Sequence, residues 1–212
     1  ADIQGAGNVP ILVGGTGLYI RTLLDGIAPI PAIPDHVRDA VRAMPTPDAY
    51  AELALEDPAS HARLDPGDSQ RISRALEVVR ATSLTLGEWQ ERREGGIGDA
   101  VSLNPVILLP EREWLYARCD MRFVQMLDEG AVAEVEALLA RNLDPDLPVM
   151  RAIGVREITG WLRGEWSREE AIAKGQQATR NYAKRQYTWL RHQPPSTWPR
   201  VTFADEALAL LA

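Results

Sequence analysis

The chain has 212 residues, 45% hydrophobic and 25% charged, with a formal net charge of −7. That length buries one good core, or a core plus a small subdomain, and the composition is that of an ordinary soluble globular protein. No apolar run approaches a membrane span, residues 1–8 do not read as a signal peptide, and the single Cys119 rules out an internal disulfide and suits a reducing, cytoplasmic setting.

In chain order, Val9-Pro10-Ile11-Leu12-Val13 is predicted to be a short buried strand of a parallel sheet, because it is continuously apolar and ends at Gly14-Gly15. Thr16 is predicted to cap a helix over 17–25 that Gly26 closes. Pro29, Pro31 and Pro34 mark a linker, and residues 35–94 read as several short helices without a strand. Pro105–Leu109 is a second buried-strand candidate. A helix over 111–129 follows, with Leu115, Cys119, Phe123 and Met126 on its apolar face, then helices at 131–140 and 151–163. Ser167-Arg168-Glu169-Glu170 is a capping box for a long helix reaching about residue 191. A last strand within 198–203 and a helix at 206–211 complete the pattern. The order points to an α/β fold, two α/β pieces (1–28 and 105–212) interrupted by a mostly helical insert (29–104).

Charge is unevenly distributed. Residues 150–200 hold 10 Lys/Arg against 4 Asp/Glu, whereas residues 1–149 hold 13 against 24. Local field rather than total charge steers a polyanion. Within the basic third, Arg180, Lys184, Tyr187 and Arg191 fall at i, i+4, i+7 and i+11 on one helix face, with Arg185 beside them. Two readings stay open from charge alone: a solvated basic face, or an anion partner. Gly14-Gly15-Thr16-Gly17 is equally double. It is either a tight turn with Thr16 as N-cap, or a ligand site at a strand's carboxyl end where glycines admit a substrate and a helix start favours anions. His36, His61 and His192 are scattered and give no metal-ligand spacing with Cys119. Trp161, Trp166 and Trp189 fall at helical spacings and suit packing.

Four ordered segments carry a resemblance over nearly the whole chain. They are Pro10-Ile-Leu-Val-Gly-Gly-Thr-Gly-Leu-Tyr19, Asp68-Ser-Gln-Arg-Ile-Ser-Arg-Ala-Leu-Glu77, Ile153-Gly-Val-Arg-Glu157 and Thr179-Arg-Asn-Tyr-Ala-Lys-Arg-Gln-Tyr-Thr-Trp-Leu-Arg191. Together they resemble the tRNA dimethylallyltransferases, also called tRNA isopentenyltransferases. The resemblance implies that the two α/β pieces are part of a P-loop-like parallel sheet core, and it implies transfer of a dimethylallyl group from dimethylallyl diphosphate to N6 of the tRNA adenosine immediately 3′ of the anticodon, by a cytoplasmic monomer. The family's opening phosphate loop, ending in Gly-Lys-[Ser/Thr], and its Asp-Ser segment do not occur here. By that reading these residues alone hold a channel, a tRNA surface and part of a catalytic site, and transfer no prenyl group at a useful rate. A non-catalytic RNA-binding remnant and an enzyme like the adenylate isopentenyltransferases are the alternatives.

Residue by residue, the resemblance implies that Thr16 contacts the target adenine near its exocyclic amine or positions the diphosphate, that Gly14, Gly15 and Gly17 line the substrate site with it, and that Arg122 faces the diphosphate. It implies tRNA contacts from Arg38, from Gln70, Arg71, Ile72, Ser73 and Arg74, from Arg151, Ala152, Ile153, Gly154, Val155 and Arg156, and from Arg180, Lys184 and Arg185. Val155 stands where the family has Tyr, which removes a stacking platform. Magnesium is implied only as the companion of the diphosphate.

Overall fold

The computed structural model describes residues 2–211. Among them, in chain order, lie α1 (Asp2–Gly5), α2 (Gly17–Asp25), α3 (Asp35–Arg42), α4 (Thr46–Glu56), α5 (Pro58–Arg63), α6 (Ser69–Thr82), α7 (Leu86–Glu91), β1 (Ile107–Leu108), α8 (Arg112–Met126), α9 (Val132–Ala140), α10 (Val155–Leu162), α11 (Arg168–His192), β2 (Arg200–Val201) and α12 (Ala204–Leu211). They form two compact units, one of residues 2–17 with 104–211, the other of residues 18–103. Residues 18–28, which the sequence reading assigned to the core, lie in the second unit.

In the second unit the core follows from helical spacing. Ile72, Ala75 and Leu76 share one face of α6, and all three are fully buried together with Val41 of α3 and Leu53 of α4. Polar closure accompanies this packing. The Arg80 guanidinium grips Glu56 at 2.6 Å and Glu52 at 3.0 Å, both on α4, and its pKa is raised by the hydrogen bond to Glu56. Glu77, almost wholly buried, takes Arg42 at 3.0 Å and Arg74 at 3.9 Å, so its charge is paired where an unpaired one would be costly. Thr85 and Glu88 form a reciprocal capping box at the start of α7.

The first unit packs α8 against α11. Phe123 of α8, 4% exposed, joins Leu127, Val135 and Ile158 in its core. The close approach requires a glycine: a Cβ on Gly175 of α11 would lie 2.0 Å from the Phe123 ring. The expected capping box starts α11, with Glu170 N–H donating to Ser167 Oγ at 3.1 Å and Ser167 N–H donating to the Glu170 carboxylate at 2.7 Å. Where a single helix over 111–129 was expected, α8 ends at Met126 and a π-turn over Leu127–Ala131 leads into α9. Gly130, at φ 118°, sits in that turn, a conformation that no continuous α-helix holds. Met126, expected on the buried face, is 40% exposed.

The strands are shorter than the sequence pattern suggests. β1 and β2 pair in parallel over two residues each, with Ile107 N–H donating to the Pro199 carbonyl and Leu109 N–H to that of Val201. The expected buried strand at 9–13 is a correction. That run has no regular structure, and Val9, Ile11, Leu12 and Val13 are 70–89% exposed. An apolar run becomes a buried strand only where neighbours bond its edges and cover its faces, and among the described residues the strand pairing joins β1 to β2 alone.

Candidate functional site

The turn at residues 14–17 lies along one face of α11. Three α11 side chains receive it, Tyr182, Gln186 and Trp189, spaced i, i+4 and i+7 and therefore aligned. The Thr16 hydroxyl is 3.3 Å from the Tyr182 hydroxyl. A Cβ on Gly15 would sit 3.0 Å from Gln186 Nε2, and one on Gly17 would sit 2.2 Å from the Trp189 indole. Gly17 is thus required by the indole that lies on it. The contacts on either side of Thr16 fix its backbone, and its hydroxyl points at a partner on a rigid helix.

Beside this junction a groove of about 930 Å³ runs between α8 and α11. Arg118, Cys119, Arg122 and Met126 of α8 line one wall, Tyr182 and Gln186 of α11 the other, and Ile153 adds to the lining. Arg122 is exposed on its wall. The Arg118 guanidinium lies 4.9 Å from the centroid of the exposed Trp114 ring. Burial pushes the Cys119 thiol up, Asp120 adds to this, and Arg122 and Arg180 oppose it. The groove therefore combines two guanidinium groups with apolar and hydroxyl surface and one carboxylate, Glu129, which accepts from the Gln125 side chain at 2.7 Å. Such a lining receives an anion beside a planar ring.

The remaining cations of α11 divide in two. Arg180 is committed, 2.5 Å from Asp120 and 2.8 Å from the Gln177 side chain. Lys184 and Arg185 are exposed, and Arg185 stacks 5.5 Å from the Tyr182 ring centroid. Tyr187, grouped with the cations by spacing, lies under Arg112 at 5.4 Å. Trp189 and Trp166 lie on Gly17 and Gly160, and Trp161 lies under Arg168.

The segment 151–156 enters α10. Arg151 pairs with Asp146, and Arg151, Ala152, Ile153 and Arg156 are exposed. Gly154 is buried, and its N–H donates to the Glu157 carboxylate at 2.9 Å. Val155 packs on the Phe123 cluster. In the second unit, Gln70, Arg71 and Arg74 stand exposed on α6, with Arg71 3.4 Å from Asp68. Ser73 is half-buried. The Ile72 side chain is fully buried, so only its backbone is left to meet a ligand. Arg38 is half-buried, donating to Asp35 at 3.0 Å and to the Ile33 carbonyl at 3.3 Å.

Comparison with known proteins settles the kinship. The family described as IPP transferase matches residues 1–193. The chain belongs to the IPP transferase family. A tRNA dimethylallyltransferase of Erythrobacter litoralis is 65% identical over 199 residues, covering 94% of this chain and 63% of the relative. One of Novosphingobium aromaticivorans is 66% identical over 197 residues, covering 93% and 70%. The chain thus spans about two thirds of the length of such curated relatives. Among solved structures, a eukaryotic dimethylallyltransferase acting on tRNA matches at TM-score 0.67 and 26% identity, over 89% of this chain and 49% of that one. The full-length tRNA isopentenylpyrophosphate transferase of Bacillus halodurans matches at TM-score 0.57 and 29% identity, over 99% and 66%.

The sequence singles out the 14–17 turn and Arg122 as candidates; it does not single out Tyr182 and Gln186, which contact that turn and line the groove. The only signal for them was their i, i+4 spacing, continued to Trp189. Spacing shows which residues share a face, not what that face meets.

Proposed function

We propose that the groove between α8 and α11 is the acceptor end of a tRNA prenyl-transfer site. In this reading an adenosine next to the anticodon leaves its stack and its base enters beside Thr16, since stacking hides the reacting atom. The N6 lone pair forms a bond to the allylic carbon of dimethylallyl diphosphate, the carbon–oxygen bond breaks, its electron pair leaves with the diphosphate, and N6 passes a proton to water. Arg122, with Arg118 one turn away, stabilises the departing anion, as fixed cations aimed at developing charge do. Lys184 and Arg185, with Arg71 and Arg74 on the helical unit, hold phosphates of the RNA, which sets affinity more than specificity. Magnesium would arrive with the diphosphate. The chain's own part is to bind an anion and a base.

The observation that carries this reading is the docking of the Gly14–Gly17 turn on the same α11 face that walls the groove holding Arg122. The free-nucleotide alternative leaves the exposed cations of α11 without a partner. The test is binding of an unmodified anticodon stem-loop RNA to the 212-residue chain by fluorescence anisotropy. Lys184→Glu with Arg185→Glu is expected to weaken binding at least about ten-fold, and to flatten the slope of log K against log salt by about 1.5, the effect of two lost phosphate contacts. Retention of inorganic diphosphate in equilibrium dialysis should fall in Arg122→Ala. Unchanged affinity and salt slope in the double variant would remove the RNA from this surface.

A further inference from the structure

We propose that Tyr182 is a positioning residue, orienting the Thr16 hydroxyl so that it presents lone pairs to the exocyclic amine of the base in the groove. This rests on the reading of the groove as an adenosine site. A threonine hydroxyl proton rotates to suit its surroundings, and the oxygen can both donate and accept. A freely turning hydroxyl therefore meets a 6-amino group and a 6-oxo group about equally well. At Thr16 the rotor has a partner, the Tyr182 hydroxyl at 3.3 Å. Either hydroxyl can donate in this pair; with Thr16 donating to the Tyr182 oxygen, its own oxygen is left as an acceptor only. It then suits the N–H of adenine and opposes the carbonyl oxygen of hypoxanthine or guanine.

Both halves of the pair are held in place. Thr16 lies between the glycines that rest against Gln186 and Trp189. Tyr182 is on the 25-residue helix α11, with the Arg185 guanidinium 5.5 Å from its ring centroid. Tyr182 also lines the groove that holds Arg118 and Arg122. A hydroxyl presented from a packed helix is what selective recognition needs. The phenol is 166 residues away from Thr16 in sequence, so the pair exists only in the folded chain.

The test uses two stem-loop RNAs that differ at one base, adenosine or inosine 3′ of the anticodon, bound to wild type and to Tyr182→Phe. Phenylalanine keeps the ring and its stack with Arg185 and removes only the hydroxyl. Wild type should prefer the adenosine RNA by about two- to ten-fold, the range for one net hydrogen bond. In Tyr182→Phe that preference should shrink towards one, mainly because the inosine RNA gains affinity as Thr16 becomes free to donate. A purely structural role would weaken both RNAs alike, and that result, or an undiminished preference, overturns the proposal. Should wild type bind both RNAs equally while Lys184→Glu weakens both, the RNA surface stands and the role of Tyr182 falls. Should wild type bind neither RNA, both fall.

Discussion

Replacing Gly175 by Ala tests the packing that shapes the groove. Two effects oppose each other. Alanine in a helix interior is favoured over glycine by up to about 1 kcal/mol, because glycine loses more backbone freedom. Against this, the new Cβ would stand 2.0 Å from Phe123 Cζ, 2.4 Å from Cε2 and 2.5 Å from Cε1. Carbon atoms rest about 3.5–4.0 Å apart, so the ring or the helix must retreat by about 1.5 Å. The ring has no easy retreat, since Phe123 is 4% exposed and enclosed by Leu127, Val135 and Ile158. Overpacking of a closed core costs about 1–3 kcal/mol, sometimes more. The net expectation is destabilisation of about 1–2 kcal/mol, or a melting point lower by roughly 2–8 °C for a chain of this size. Thermal unfolding followed by circular dichroism and tryptophan fluorescence measures it. Adding Phe123→Leu should relieve the clash, so that the pair costs clearly less than the sum of its parts. A Gly175→Ala protein as stable as wild type, or strict additivity with Phe123→Leu, would refute the reasoning.

Three further outcomes are expected. Arg71→Ala with Arg74→Ala should weaken stem-loop binding and flatten its salt slope by up to about two while leaving the dichroism native; an unchanged slope would make this end of α6 a structural face. Cys119, whose thiol burial holds up, should react with iodoacetamide more slowly in the folded than in the unfolded chain, and more slowly still in Arg122→Ala, since that cation favours the thiolate; faster reaction in the variant would contradict the placement of Arg122. The Glu88 carboxyl is held below its ordinary value, first by the Thr85 backbone N–H and then by its hydroxyl. A lowered folded pKa stabilises above the ordinary carboxylate range and is lost as pH falls through the folded value. The melting-point gap between wild type and Glu88→Gln should therefore be present at pH 6 and close towards pH 3, and a gap independent of pH would exclude the capping carboxylate as its cause.

Local signals were legible and distant ones were not. The helix at 17–25, the Ser167 capping box and the length of α11 could be read because caps and spacing act within a few residues. The run at 9–13 could not be placed, because whether apolar residues make a buried strand depends on what bonds to them, and hydropathy does not encode that. Ile72 belonged to a motif read for its cations, yet its apolar position three residues before Ala75 and four before Leu76 already marked it as core. Arg180 read as one of a row of free cations, and only the fold supplies Asp120 as its partner. Tyr182 is the clearest case, since its chemistry lies in a contact spanning most of the chain.

Helix α11 runs unbroken from Arg168 to His192. At 25 residues it is a rod of about 37 Å, and it bears both the exposed cations and the three side chains on which the 14–17 turn rests. Whatever grips Lys184 and Arg185 pulls on the same stiff body that seats Thr16. A roll of this rod therefore carries grip and turn together and keeps their spacing, as a handle carries its blade. Substitutions that soften the rod between residues 182 and 189 should loosen grip and seat together, without removing any charge.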